Sequence, residues 1–260
     1  MRNKILLLLL LFSQIALTQQ SSSIFLKSGV AFNTLQDGSF SDLSYNGLNM
    51  YYAFSFNREL PRSEFQVEVA YINGQLKNPL KSDEVLIKSI DRNFINANIS
   101  YRKKVCYKGL DLAIGLSNST YYDLSTYPLP ANNQVSYELT SSLNAFARLN
   151  ILLTQHLNYR LTTNIPMVSA SIRPLDGGLF HQKDMEFDLV GALNSANFYP
   201  TNKIFFLHFN HAIGIKWKDR PIEIYYDYFG GYNKVIDKKG SAVQTIGIAF
   251  PIYSNLKSHN

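Results

Sequence analysis

The 260-residue chain holds a single cysteine, Cys106. No intrachain disulfide can form, and with no histidine near it in the chain the thiol reads as incidental to a turn, not as a nucleophile. After Thr18 no run of about 18 apolar residues recurs, so no helical membrane span is expected. Charged residues are sparse at 17% and the basic ones are scattered. No arginine-rich helix or nucleic-acid motif gathers the surplus of +6 into a polyanion-binding face, so no nucleic-acid partner is expected. No metal-ligand set and no cofactor motif stands out, so neither a metal nor a cofactor is expected.

Against those absences stand seventeen Tyr and seventeen Phe, too much aromatic surface for a typical small secreted domain. Residues 1–18 read as a cleaved secretory signal. Arg2 and Lys4 form a basic start, Ile5 to Phe12 is an unbroken apolar run, and Ala16-Leu17-Thr18 supplies small residues before a cut at Gln19. A retained anchor is the competing reading, but the run is short for a span and no stop-transfer flank succeeds it. No cysteine lies near the cut, so the chain is not a lipoprotein precursor. Loss of the signal lowers the formal charge from +6 to +4, for which acidic lipid headgroups are the natural counter-charge.

The rest of the chain alternates. Leu48, Met50, Tyr52, Phe54 and Phe56 oppose Asn49, Ser55 and Asn57, and Phe65, Val67, Val69 and Tyr71 oppose Glu64, Gln66 and Glu68. Ile95, Ala97, Ile99 and Tyr101 oppose Asn96, Asn98, Ser100 and Arg102. Ten stretches between Ile24 and Tyr253 keep this period of two, which is that of strands with a different solvent on each face. Pro166, inside the stretch from Leu157 to Ile172, predicts a bulge or an early end to pairing.

The links between stretches alternate in length. Arg58 to Arg62, Lys104 to Lys108, Leu153 to His156 and Asp219 to Arg220 are short, whereas Gln36 to Tyr45, Gln75 to Asp91, Tyr122 to Ser136, Arg173 to Lys203 and Asn233 to Ser241 are longer. That rhythm predicts an all-β, antiparallel up-and-down transmembrane barrel over residues 19–253, with a polar tail at 254–260 and both termini in the periplasm. Ten strands are expected, with twelve, or eight with frayed ends, as alternatives. Residues 184–196 fit either a short helix opened by Asp184 or an outer hairpin, and as a strand they would need a partner. A secreted β-sandwich is disfavoured by the polar face, which is rich in Asn, Ser and Thr where Lys and Glu should dominate a solvated surface.

Signal, alternation and link rhythm together resemble the Gram-negative outer-membrane β-barrel proteins as a broad class, from Ile24 to Tyr253. The resemblance implies a cell outer-membrane location and contact with outer-membrane lipids, lipopolysaccharide and other envelope proteins. One departure is the end of the chain, where Phe250 and Tyr253 are succeeded by polar residues and not by a terminal aromatic.

The inward face collects Lys27, Arg102, Arg148, Arg160 and Lys216 against Glu64, Glu68, Asp111, Glu138, Glu223 and Asp227. In so narrow a barrel, side chains of both signs are expected to fill the bore with ion pairs, a small polar channel being the alternative. His208, Asn210, Glu223, Arg148, Arg160 and Asp111 are the lumen candidates for a binding site, and Asp184, Glu186 and Asp188 are the loop candidates, weakly suited to divalent cations. His208 and His211 face opposite sides of one strand and cannot share a metal. His208-x-Asn210, with Glu223 on the next strand, is similar to the His-x-Ser of outer-membrane lipid hydrolases, but Asn210 cannot act as the nucleophile. Outer-membrane proteases use an Asp-x-His that this chain lacks. No enzyme is therefore expected. The expected role is structural or interactive through the outer loops, with a narrow porin-like channel and then a lipid-modifying hydrolase as alternatives.

Overall fold

Residues that alternate in polarity alternate in direction, and the sheet obeys that rule throughout. The computed structural model describes residues 21–38, 41–80, 88–107, 110–128, 134–172, 180–181, 197–217, 220–235 and 239–255. They form β1 (Ser22–Asp37), β2 (Ser41–Glu59), β3 (Ser63–Lys77), β4 (Ser89–Tyr107), β5 (Leu110–Tyr127), β6 (Gln134–Thr154), β7 (Leu157–Ile172), β8 (Phe180–His181), β9 (Asn197–Pro200), β10 (Ile204–Trp217), β11 (Arg220–Asn233) and β12 (Lys239–Asn255). Each long strand pairs antiparallel with the next, β1 also pairs β12, and β6 pairs β7, so ten strands close into an up-and-down barrel. The short β8 and β9 only add to β6 and β7 within the link before β10, which removes the twelve- and eight-strand alternatives.

Side-chain parity is as expected on nine of the ten long strands, and on β7 as far as Met167. Leu48 and Ile246, 72% and 65% exposed, lie on the outer wall, while Lys27, Ser55 and Thr245 are buried in the bore. Two inward glycines, Gly29 on β1 and Gly247 on β12, stand directly opposite each other. A Cβ on Gly247 would lie 2.4 Å from the Tyr225 hydroxyl and 2.3 Å from the Ser28 carbonyl, so the missing side chains let the Tyr225 ring lie against the wall.

Pro166 marks a bulge, as its position predicts. Asn144 pairs with Pro166 but Leu143 pairs with Val168, leaving Met167 as the extra residue. Beyond the bulge the parity of β7 is reversed. Val168 turns outward, and Ser169 and Ser171 turn into the bore, where they meet Ser142 at 2.7 Å and Thr140 at 2.8 Å.

The strands overrun their expected ends. β6 has 21 residues and β2 and β4 have 19 each, whereas about 9–11 suffice to cross a bilayer. Most of Gln36–Tyr45 and of Tyr122–Ser136, expected as loops, is therefore strand, as are both ends of Asn233–Ser241, and β1 gives way to β2 after only residues 38–40. The physical reason is a change of solvent. At this end of the barrel the outer wall carries Asn73, Gln75, Asp91 and Asn93, and the inner wall carries Leu35, Leu76, Ile90, Tyr45 and Tyr127. Polar residues on the outside bond across strands, Asn73 to Asn93 at 2.6 Å and Gln75 to Asp91 at 3.3 Å. The polarity of the two faces has exchanged, as water on the outside requires, and pairing continues where the membrane pattern stops.

Candidate functional site

Four layers fill the bore. The end that holds both termini and the short turns is polar. Glu64 on β3 accepts from Arg102 Nε on the adjacent β4 at 2.6 Å, and both its oxygens are gripped by Arg148 from β6. Arg160 on β7 meets Glu223 on β11 with two bonds of 2.6 and 2.8 Å, and Lys27 on β1 meets Glu68 on β3 at 2.5 Å. Apart from Arg102–Glu64, which joins neighbours, these pairs reach past one or two strands, so they brace the wall and do not merely decorate it.

A hydrogen-bonded line runs through the same layer. Ser117 Oγ donates to Asn164 Oδ1 at 2.6 Å, Asn164 Nδ2 lies 3.1 Å from His208 Nδ1, and His208 Nε2 lies 2.8 Å from Asp227 Oδ1. Asn210 Nδ2 adds a bond of 3.2 Å to the same Asp227 oxygen. This order fits the tautomer in which Nε2–H donates to Asp227 and Nδ1 accepts from Asn164. Both ring nitrogens of His208 are taken, by Asn164 and Asp227, and among the described residues no hydroxyl bonds to it as a nucleophile would. His211 is on the outer face, bonded to Tyr159 at 2.6 Å, and shares nothing with His208.

Next comes an aromatic layer. Phe206 stacks on Phe229 with centroids 5.4 Å apart, Tyr121 meets Phe206 edge-on at 4.7 Å, and Phe94 and Tyr225 join the same cluster. Above it, opposite walls are tied by charge. Arg92 on β4 forks onto Asp123 at 2.9 and 3.0 Å and reaches Ser241 on β12 at 2.7 Å. Lys239 on β12 lies 3.0 Å from Asp123 and 3.1 Å from Glu138. Tyr121 and Asn233 both donate to Glu138, at 2.5 and 2.8 Å. The apolar group of Leu35, Tyr45, Leu76, Ile90 and Tyr127 caps the stack.

Within the polar layer lies a cavity of about 220 Å³, whose lining reaches Ser23, Arg58, Glu59 and Pro221 at the terminal end. It gathers His208, Asn210, Glu223, Arg148 and Arg160, five of the six lumen candidates. Asp111 is not among them. It sits exposed at the foot of β5, where Asn150 donates to it at 2.7 Å, because its strand begins at that rim. Asp184, Glu186 and Asp188 lie outside the described residues, as do residues 1–18. Among the described residues no group of three or more His, Cys, Asp or Glu could hold a metal.

Sequence reasoning missed the aromatic layer and the upper ion cluster. Phe94, Tyr121, Phe206 and Phe229 share the parity of the polar residues, and that parity was their signal. Asp123 and Lys239 fall in segments expected to be loops.

The closed ten-strand sheet, with apolar side chains outside and polar ones in the bore, has the build of a transmembrane β-barrel. No protein-family model matches the chain, and no curated protein matches it by sequence. Among solved structures it is similar to Neisserial surface protein A, at 8% identity over 88% of this chain and 97% of that one, with a TM-score of 0.34. It is also similar to the P. putida toluene transporter TodX, at 10% identity over 94% and 91%, TM-score 0.37. A third is the transport unit of the autotransporter AIDA-I from Escherichia coli, at 7% identity over 90% and 91%, TM-score 0.43. Likeness at these identities does not extend to function.

Proposed function

We propose that this protein is a closed, non-conducting outer-membrane barrel that works as a structural or interaction scaffold, with its termini in the periplasm and the links at the opposite end as its working surface. The observation that carries this reading is the tying of non-adjacent strands at two heights, Arg148 to Glu64 below and Lys239 to Asp123 and Glu138 above, with aromatic rings between. A solute crossing the bore would have to part both charged layers, and separating a buried ion pair costs about 3–5 kcal/mol. Outer-leaflet lipid is the partner of the apolar belt, and the longest link, residues 173–203, is the first candidate for contact with another envelope component. Liposome swelling tests the closure. Vesicles carrying the folded mature protein should not swell in arabinose any faster than protein-free vesicles, whereas swelling at the rate of a general porin would overturn it.

A further inference from the structure

The outer face of the β10–β11 ladder is a column of opposed pairs. It rises from Ile215 opposite Ile222, through Phe209 stacked on Tyr228 at 4.8 Å, to Phe205 stacked on Tyr232 at 6.0 Å. Phe205 to Ile215 is eleven residues, and about 9–11 suffice for a strand to cross a bilayer. Just beyond that span, Lys234 N donates to Lys203 O at 2.8 Å, so two exposed lysines face each other where lipid headgroups begin. Like charges directly opposite on a sheet repel. Among the described residues no carboxylate pairs with either lysine, and the Lys234 ammonium lies 4.2 Å from the centroid of the Tyr232 ring. The turn that carries Lys203 is nevertheless held in place. Lys203 N donates to Pro200 O at 2.9 Å, and the Tyr232 hydroxyl donates to Thr201 O at 3.4 Å. Beside this turn the sheet is interrupted. β7 pairs β10 only from Leu157 to Asn164 and pairs β9 from Val168 to Ser171, so Ile165 to Met167 have no ladder partner on that side. Val168 and Phe198, the latter 80% exposed, border the break on the outer face.

We propose that this corner of the rim is a binding site for the phosphate of an outer-leaflet lipid, lipopolysaccharide. The ammonium groups of Lys203 and Lys234 donate to the phosphate, and the acyl chains descend along Phe205 and the break beside Phe198. The proposal rests on the reading that the termini are periplasmic, which sets the two lysines at the outer leaflet. A phosphate between the lysines converts a repulsive pair into two charge-assisted bonds, and the apolar column beneath them holds the lipid at the right depth.

The test is native mass spectrometry of the folded, full-length mature protein in non-ionic detergent, titrated with bisphosphorylated lipid A. Dephosphorylated lipid A and inorganic phosphate serve as controls. Micelles have no sides, so a failure here leaves the closure and the orientation of the barrel untouched. The expected record is one saturable lipid A adduct, with the dephosphorylated form about thirtyfold weaker, each lysine counting for about fivefold on an anionic lipid. The double variant Lys203→Gln/Lys234→Gln should lose the same factor while keeping its folded electrophoretic mobility. The charge-matched Lys77→Gln/Lys103→Gln, at exposed positions on β3 and β4, should bind as wild type does. No saturable adduct, equal binding of dephosphorylated lipid A, or wild-type binding by the first double variant would overturn the proposal. An equal loss in the charge-matched variant would mean attraction to net charge only and would also overturn it. Inorganic phosphate bound as tightly as lipid A would assign the lysines to the free anion and overturn the lipid.

Discussion

Arg148 and Glu64 stand on strands separated by β4 and β5, yet both oxygens of the Glu64 carboxylate are held by the Arg148 guanidinium. A contact of this reach fixes the width of the barrel at its terminal end. With Arg102 on its other side, Glu64 is the anion that lets two buried arginines coexist. Glu64→Gln should therefore lose about 3–5 kcal/mol, the scale for removing one partner of a buried ion pair. Urea unfolding of the refolded protein in micelles measures it, and a midpoint unchanged from wild type would contradict the brace.

A methyl group at position 247 has nowhere to go. The contact with the Tyr225 hydroxyl could relax, but the contact with the Ser28 carbonyl is with backbone of the paired strand. Gly247→Ala should cost about 1–3 kcal/mol, as overpacking does in well-filled interiors. Shortening the ring by Tyr225→Phe should not restore the loss, and full rescue would show that the ring and not the backbone sets the limit.

Deletion of Met167 should be tolerated. It removes the bulged residue while keeping Ser169 opposite Ser142 and both serines turned inward, so stability should stay within about 1 kcal/mol of wild type, the net value of one hydrogen bond. A deletion variant that cannot refold would show that the bulge does more than redirect two serines.

How much of this was legible in the chain depends on which solvent each segment meets. In the membrane belt, apolar residues must face lipid, so Leu48, Ile95 or Ile246 fix the parity of their strands and, with it, the inward direction of Arg148, His208 and Glu223. At the far end water replaces lipid, and Leu35, Leu76 and Ile90 go inside while Asn73 and Asn93 go outside. The alternation fades in hydropathy though not in hydrogen bonding, which is why Asp123 and Lys239 looked like loop residues. The partners of each inward charge were hidden for another reason. Arg148 finds Glu64 three strands away, and sequence spacing carries no information about which inward side chains meet.

Orientation in the membrane is open to a direct chemical check. In a chain lacking its own thiol through Cys106→Ser, Leu80→Cys lies on an exposed outer link and Pro61→Cys on a turn at the terminal end. A membrane-impermeant maleimide applied to intact cells should label position 80 and spare position 61 until the outer membrane is breached. The reverse pattern would invert the placement of the termini.

Planar-bilayer conductance of the purified, folded mature protein tests most directly whether the four layers of side chains close the bore. The expected record is a quiet baseline with no unitary steps, because ions meet two braced charged layers, a stacked aromatic layer and an apolar cap in turn. Reproducible steps of defined size from the pure protein would contradict the closure and establish a channel in its place.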